Sequence, residues 1–191
     1  MRTPTSHLRS RRLLAATMLL ALCAIPGHQA DAGRRRGIVA RKAPPLHANE
    51  WFGLAKGAST FDVSAHKGKV IYLFFFQSWC PGCHSRGFPA LAAVADHYKG
   101  SADVVFATVQ TVFEGFGINT AAAGLHDVQE RGLDLPFGHD PGPKGKRSLT
   151  MGRYRSGGTP WTVIIGPDGV VRFDGFRISP KRAISLIERL R

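Results

Sequence analysis

The clearest feature of the hydrophobic pattern is an unbroken apolar run, Val70 to Phe76 (VIYLFFF), rich in β-formers. Continuity without alternation predicts a central strand buried on both faces. It stops at Gln77-Ser78-Trp79, and a helix is expected at once. Pro81 suits a first helical position, and Leu91, Val94, Ala95 and Tyr98 recur at helical spacing. Val104 to Val109 reads as a second buried strand, Thr120 to Arg131 as a helix, and Leu135 to Phe137 as a short extended piece. Residues 140–147 (DPGPKGKR) have loop composition, and Ser148 to Tyr154 suits a short helix. Thr162 to Ile165 and Val170 to Phe173 flank Gly166-Pro167-Asp168-Gly169, a hairpin signal. Ser179 then caps a last helix, with Pro180 at its first position and Ile184, Ile187 and Leu190 on one apolar face. The order predicts an α/β domain with a mixed central β-sheet flanked by helices.

The first part of the chain follows another pattern. Arg2, Arg9, Arg11 and Arg12 precede a short apolar stretch, Leu13 to Ile25, and Ala30-Asp31-Ala32 fits a small-residue cleavage site. This layout predicts a secretory signal peptide over 1–32. Ser10-Arg11-Arg12-Leu13-Leu14 resembles a twin-arginine signal as well. No run reaches 18 apolar residues, so no stable membrane span is expected unless an uncleaved start serves as an anchor. Residues 33–45 are basic, end in Ala43-Pro44-Pro45 and read as an exposed lead-in to a domain over 46–191. The expected location is extracytoplasmic, in a bacterial periplasm.

Composition, at 43% hydrophobic and 20% charged residues, is that of a globular protein. Four of the 26 basic and one of the 13 acidic residues lie in 1–32, so cleavage leaves 22 and 12. That excess is scattered and no nucleic-acid module surrounds it, so no nucleic acid is expected as a partner. Cleavage would also remove Cys23, leaving Cys80 and Cys83 in one motif, in a compartment where disulfides form.

Cys80-Pro81-Gly82-Cys83 stands where the buried strand hands over to the helix. The i, i+3 spacing puts both sulfurs on one face of the first turn, and Cys80 meets the unpaired N–H groups of the helix start, which favour a thiolate. Cys80 is thus the expected nucleophile and Cys83 the resolving thiol. A purely structural disulfide would close too small a ring to stabilise the chain appreciably. With His84 the string becomes CPGCH, the pattern of covalent haem attachment, for which Met151 would be the distal ligand. The flanking apolar strands argue against the small helical domain that such haem sites occupy. Zinc held by the two cysteines with His84, or by His139 and Asp140, lacks the spacing of a closed four-ligand site. No cofactor and no metal are therefore expected. A peroxidase would want Thr or Ser three residues before its cysteine, where Gln77 stands.

SWCPGCH after an apolar strand, Gly158-Thr159-Pro160-Trp161, the hairpin VIIGPDGVV, the lead-in APPL and the approach His66-Lys67-Gly68-Lys69 resemble the TlpA-like group of exported thioredoxins over residues 43–190. The resemblance implies a thioredoxin-like fold and thiol–disulfide exchange with protein thiols and disulfides, supplied by an upstream electron donor or acceptor. It tilts the direction toward reduction of exported proteins. It also implies that Thr159 and a cis Pro160 face the cysteines, Thr159 pairing with substrate, and that Trp79 shapes the substrate surface. Three positions depart from the pattern. Phe74 stands where a buried acid is common, Arg86 where some relatives carry glutamate, and Pro89 lies one residue late, which calls for a bulge near Arg86-Gly87-Phe88. Without the acid, His84 or water is the expected proton-transfer partner of Cys83. A redox-inert binding module on the same scaffold is the other reading.

Overall fold

The computed structural model describes Met1 and residues 36–191; the cleavage site expected of an export signal and Cys23 lie outside the described residues. In chain order the strands are β1 (Glu50–Phe52), β2 (Val70–Phe76), β3 (Val104–Thr111), β4 (Phe137–Asp140), β5 (Trp161–Ile165) and β6 (Val171–Gly175). The helices are α1 (Phe88–His97), α2 (Ala121–Gln129), α3 (Leu149–Arg153) and α4 (Pro180–Glu188). One sheet holds all six strands in the order β1-β4-β3-β2-β5-β6. The β2–β3 and β3–β4 pairs are parallel, and β1–β4, β2–β5 and β5–β6 antiparallel.

Every residue of β2 is buried, as its pattern demands, because both faces of the sheet are covered. Val70, Tyr72, Phe74 and Phe76 pack with Phe88, Leu91 and Val94 of α1, Val128 of α2 and Ile187 of α4. Ile71, Leu73 and Phe75 face the other way, against Ile38, Leu46, Phe61, Tyr154 and Trp161. The alternation of a strand's side chains thus builds two cores from one run.

Local signals set several element ends. Thr120, Ser148 and Ser179 each accept a backbone N–H from the first turn of the helix that follows. In the hairpin, Gly166 N–H donates to Val170 O at 2.9 Å and Asp168 Oδ1 accepts Val170 N–H at 3.1 Å, while Gly169 takes φ +76°. The extended piece expected at 135–137 begins at Phe137 and runs on to Asp140, and the three-residue β1 has no counterpart in the hydrophobic pattern. The lead-in is exposed over Val39–Lys42, but Ile38 enters the second core and Lys42 bridges to Val170, covering the edge of the sheet at β6. Among the described residues, no helix is long and apolar enough to cross a membrane.

Candidate active site

Because β2 is pinned between β3 and β5, its C-terminal end delivers residues 77–80 to the rim of the sheet. Pro81 and Gly82 open the helix, and the chain then widens into a π-helical turn over Cys83–Gly87 before α1 begins. Phe88 N–H donates to Cys83 O, five residues back. This wide turn absorbs the extra residue that places Pro89 one position late. Gly87 is required at its end: a Cβ there would lie 2.6 Å from Phe74 Cζ and 3.0 Å from Pro160 Cβ. Gly87→Ala is expected to push the helix start off both rings. The cost of such overpacking is about 1–3 kcal/mol, read as a lower melting temperature and slower disulfide exchange.

Both cysteines are free thiols, Cys80 with 6% of its surface exposed and Cys83 with none. Cys83 Sγ donates to Cys80 Sγ across 2.6 Å, and Cys83 N–H donates to the same sulfur at 3.2 Å. The Cys83 thiol is the main cause that lowers the Cys80 pKa, to about 6, against the opposing effect of burial; Thr159 and the N–H groups of Cys83 and Gly82 add to the lowering. Burial, and the neighbouring Cys80 sulfur that needs its proton, push the Cys83 thiol far up. The Thr159–Pro160 bond is cis, and the Pro160 ring lies against Gly82 and Gly87 at the start of the helix. One turn, 80 residues away in sequence, therefore brings Thr159 and Pro160 to the cysteines. Trp79 stands beside them, 42% exposed.

Ser78 is held at all three of its polar groups by different elements. Its N–H donates to Asn119 Oδ1 at 2.7 Å, its hydroxyl accepts Gln110 Nε2 at 2.7 Å, and its carbonyl accepts His84 Nε2 at 2.5 Å. Asn119 in turn donates to the carbonyls of Glu114 and Gly115, tying the loop after β3 to the cysteine loop. Gln110 Oε1 faces His139 Nδ1 at 2.6 Å, deep in the sheet. Asn119 and Gln110 carry no motif, and His139 enters the sequence reading only as a zinc ligand beside Asp140, so the pattern along the chain does not point to this network.

His84 differs from its expected use. Nδ1 lies 2.7 Å from Arg131 Nη2, so it accepts that proton, and Nε2–H is directed at Ser78 O. Both nitrogens are occupied, and the ring positions the loop instead of presenting a base to Cys83. Asp127, Glu130 and His84 sit close enough to suggest a cation site. The Arg131 guanidinium already fills that position: it bonds His84 and Glu130, lies 3.7 Å from Asp127, and stacks 4.4 Å over the Phe88 ring. Phe74, at the position of the missing acid, is buried between Phe76 and Phe88, and Arg86 is exposed.

Residues 39–174 match the AhpC/TSA family. No curated protein matches the chain. Among solved structures, a thioredoxin-like superfamily protein is 30% identical, with a TM-score of 0.68 over 79% of this chain and 96% of that one. A thiol-disulfide isomerase from Corynebacterium glutamicum is 26% identical, with a TM-score of 0.66 over 78% and 96%. A candidate thiol:disulfide interchange protein DsbE from Chlorobium tepidum shares the fold at 22% identity, with a TM-score of 0.55 over 81% and 96%. The two thiols beneath Thr159-Pro160 and these likenesses agree: the chain belongs to the AhpC/TSA family and is a thiol–disulfide oxidoreductase of the thioredoxin superfamily.

Proposed function

We propose that Cys80 and Cys83 are the redox pair and that the protein reduces disulfides of exported proteins. The observation that carries the assignment of the pair is the opposite tuning of two adjacent thiols, Cys80 toward thiolate and Cys83 toward thiol, while the reducing direction rests on the likeness to the TlpA-like group. The Cys80 thiolate attacks a partner disulfide, forming a mixed disulfide and releasing one partner thiolate. Cys83 then gives its proton to water or to that departing sulfur and attacks Cys80 Sγ. The Cys80–Cys83 bond forms, the second partner thiolate leaves, and two electrons have passed to the partner. An upstream electron donor restores the dithiol. Thr159 presents backbone to the partner chain, Pro160 crowds the sulfurs, and exposed Trp79 forms part of the docking surface. The basic, apolar and small-residue arrangement of residues 1–32 supports export to the periplasm.

The haem reading of CPGCH meets a physical obstacle. Cys83 is sealed in the core with Phe74, Phe76 and Phe88, so attachment through both sulfurs would have to open that cluster. Both His84 nitrogens are also already bonded.

The test is the pH profile of alkylation of the reduced protein. With Cys80 near 6, its reactivity should reach half-maximum about three units below the ordinary thiol value of 9.0. The linkage has a definite sign. A pKa depressed by folding makes the thiolate stabilise the reduced fold increasingly from about pH 6 up to 9, and this is lost as pH falls through 6. A half-maximum near 9 would remove Cys80 as the attacking group. The direction is tested by the reduction potential of the pair, expected closer to thioredoxin's, about −270 mV, than to DsbA's, about −120 mV. The reverse ordering would make the protein an oxidant.

A further inference from the structure

A groove of about 320 Å³, lined in part by Gly87, against which Pro160 packs, runs between the start of α1 and the segment that leads into α4. Its walls are apolar, with Ala90, Phe176 and Ile178, and its rims carry Arg86 and Arg177. No acidic side chain lines it, and both arginines are exposed and without an acidic partner among the described residues. Phe176 is 39% exposed and covers the turn that precedes Thr159. A Cβ at Gly158 would lie 3.2 Å from its ring, and one at Gly157 would meet both that ring and the Arg36 side chain. Arg36 lies 5.8 Å over the same ring, which adds a third cation beside the turn.

We propose that this groove docks an acidic segment of the partner polypeptide, next to the cysteine that exchanges with Cys80, and that Arg86 and Arg177 select it. The inference rests on the reading of Cys80 as nucleophile, because only then does a partner chain pass along Thr159 and Pro160. Charge complementarity names the occupant. Two guanidinium groups without acidic partners on the rims of an apolar trough attract carboxylates, while the trough shelters the aliphatic parts of the incoming side chains. Steering of this kind acts chiefly on the association rate and fades with salt.

Symmetric disulfides of three short peptides, differing only in Glu, Gln or Lys beside a central cysteine, test the proposal. The reduced protein converts each to two peptide thiols and is itself oxidised to the Cys80–Cys83 disulfide. The Glu peptide should react at least about tenfold faster than the Lys peptide at low ionic strength, and the ratio should shrink toward one as salt is added. Neutralisation in R86Q/R177Q should collapse the ratio, and R86E/R177E should invert it. Serine versions of the peptides, which cannot exchange, are measured for binding by fluorescence anisotropy and should follow the same order. If no peptide exchanges yet the serine peptides bind in that order, the docking proposal stands and the role of Cys80 falls. Equal rates and equal binding across the three peptides overturn the proposal, as does a preference that survives R86E/R177E. Binding of anionic vesicles in place of the acidic peptide, or self-association through this face, assigns the groove another occupant and overturns it too.

Discussion

Cys80→Ala is expected to reduce disulfide exchange to the uncatalysed background, while Cys83→Ala is expected to form mixed disulfides with partners and fail to release them. The asymmetry follows from the geometry of the pair. Cys80 receives the Cys83 thiol, the Cys83 N–H and Thr159, so its thiolate is the stabilised one. Cys83 has no exposed surface and holds the proton of the pair. At pH 7 a thiol with a pKa near 6 is about 90% ionised, against about 1% for one at the ordinary value. The same contacts predict a second, less obvious effect. Removing the Cys83 thiol takes away the largest cause of the low Cys80 pKa, so the alkylation midpoint of Cys80 in Cys83→Ala should move upward. Partners trapped on Cys83→Ala can be counted on non-reducing gels. Equal trapping by the two variants, or faster alkylation of Cys83 than of Cys80 in the native protein, would reverse the assigned roles.

The largest effect on stability is expected at Asp140, which has no exposed surface. Its carboxylate accepts the N–H of Gly142 at 3.0 Å, the Ser148 hydroxyl at 2.7 Å and the N–H of Thr150 at 2.7 Å, and it faces His47 Nδ1 at 3.2 Å. One side chain therefore joins the end of β4, the loop over 141–147, the start of α3 and the chain before β1. Asp140→Ala would leave several buried donors without an acceptor, each costing about 1–3 kcal/mol. Because such losses overlap, a total of about 3–5 kcal/mol is expected. At about 2–4 °C per kcal/mol for a domain of this size, the melting temperature should fall by about 10 °C. Asp140→Asn, which keeps one acceptor oxygen, should fall between the two. A melting temperature within a degree or two of the native protein for Asp140→Ala would mean that the loop is held by other contacts.

The elements legible along the chain are those whose cause is local. Val70–Phe76 is a two-faced strand because a run without polar interruption has no solvent side. Thr120, Ser148 and Ser179 start helices because each hydroxyl accepts the N–H three residues ahead. GPDG turns the chain because Asp168 and Gly169 fit that backbone. The CPGC spacing and the late Pro89 were likewise visible. The bulge required by Pro89 is the π-helical turn over Cys83–Gly87. The strand β1 was not, since three residues are too few to show a period and its place comes from pairing with β4.

The contacts that exist only in the folded chain span long separations. Ser78 meets Asn119 over 41 residues and His84 meets Arg131 over 47. Neither contact leaves a periodic trace, because each depends on which strands neighbour one another. His84 shows the consequence most directly. Along the chain it is a titratable group beside Cys83, while in the fold Arg131 and Ser78 occupy both of its nitrogens and turn it into a support for the cysteine loop. The buried strand, the helix starts and the paired thiols are legible along the chain because neighbours a few residues apart decide them. The order of the sheet decided which distant side chains bury Cys83 and so raise its hold on its proton, whereas the lowering at Cys80 comes first from Cys83 itself, three residues away.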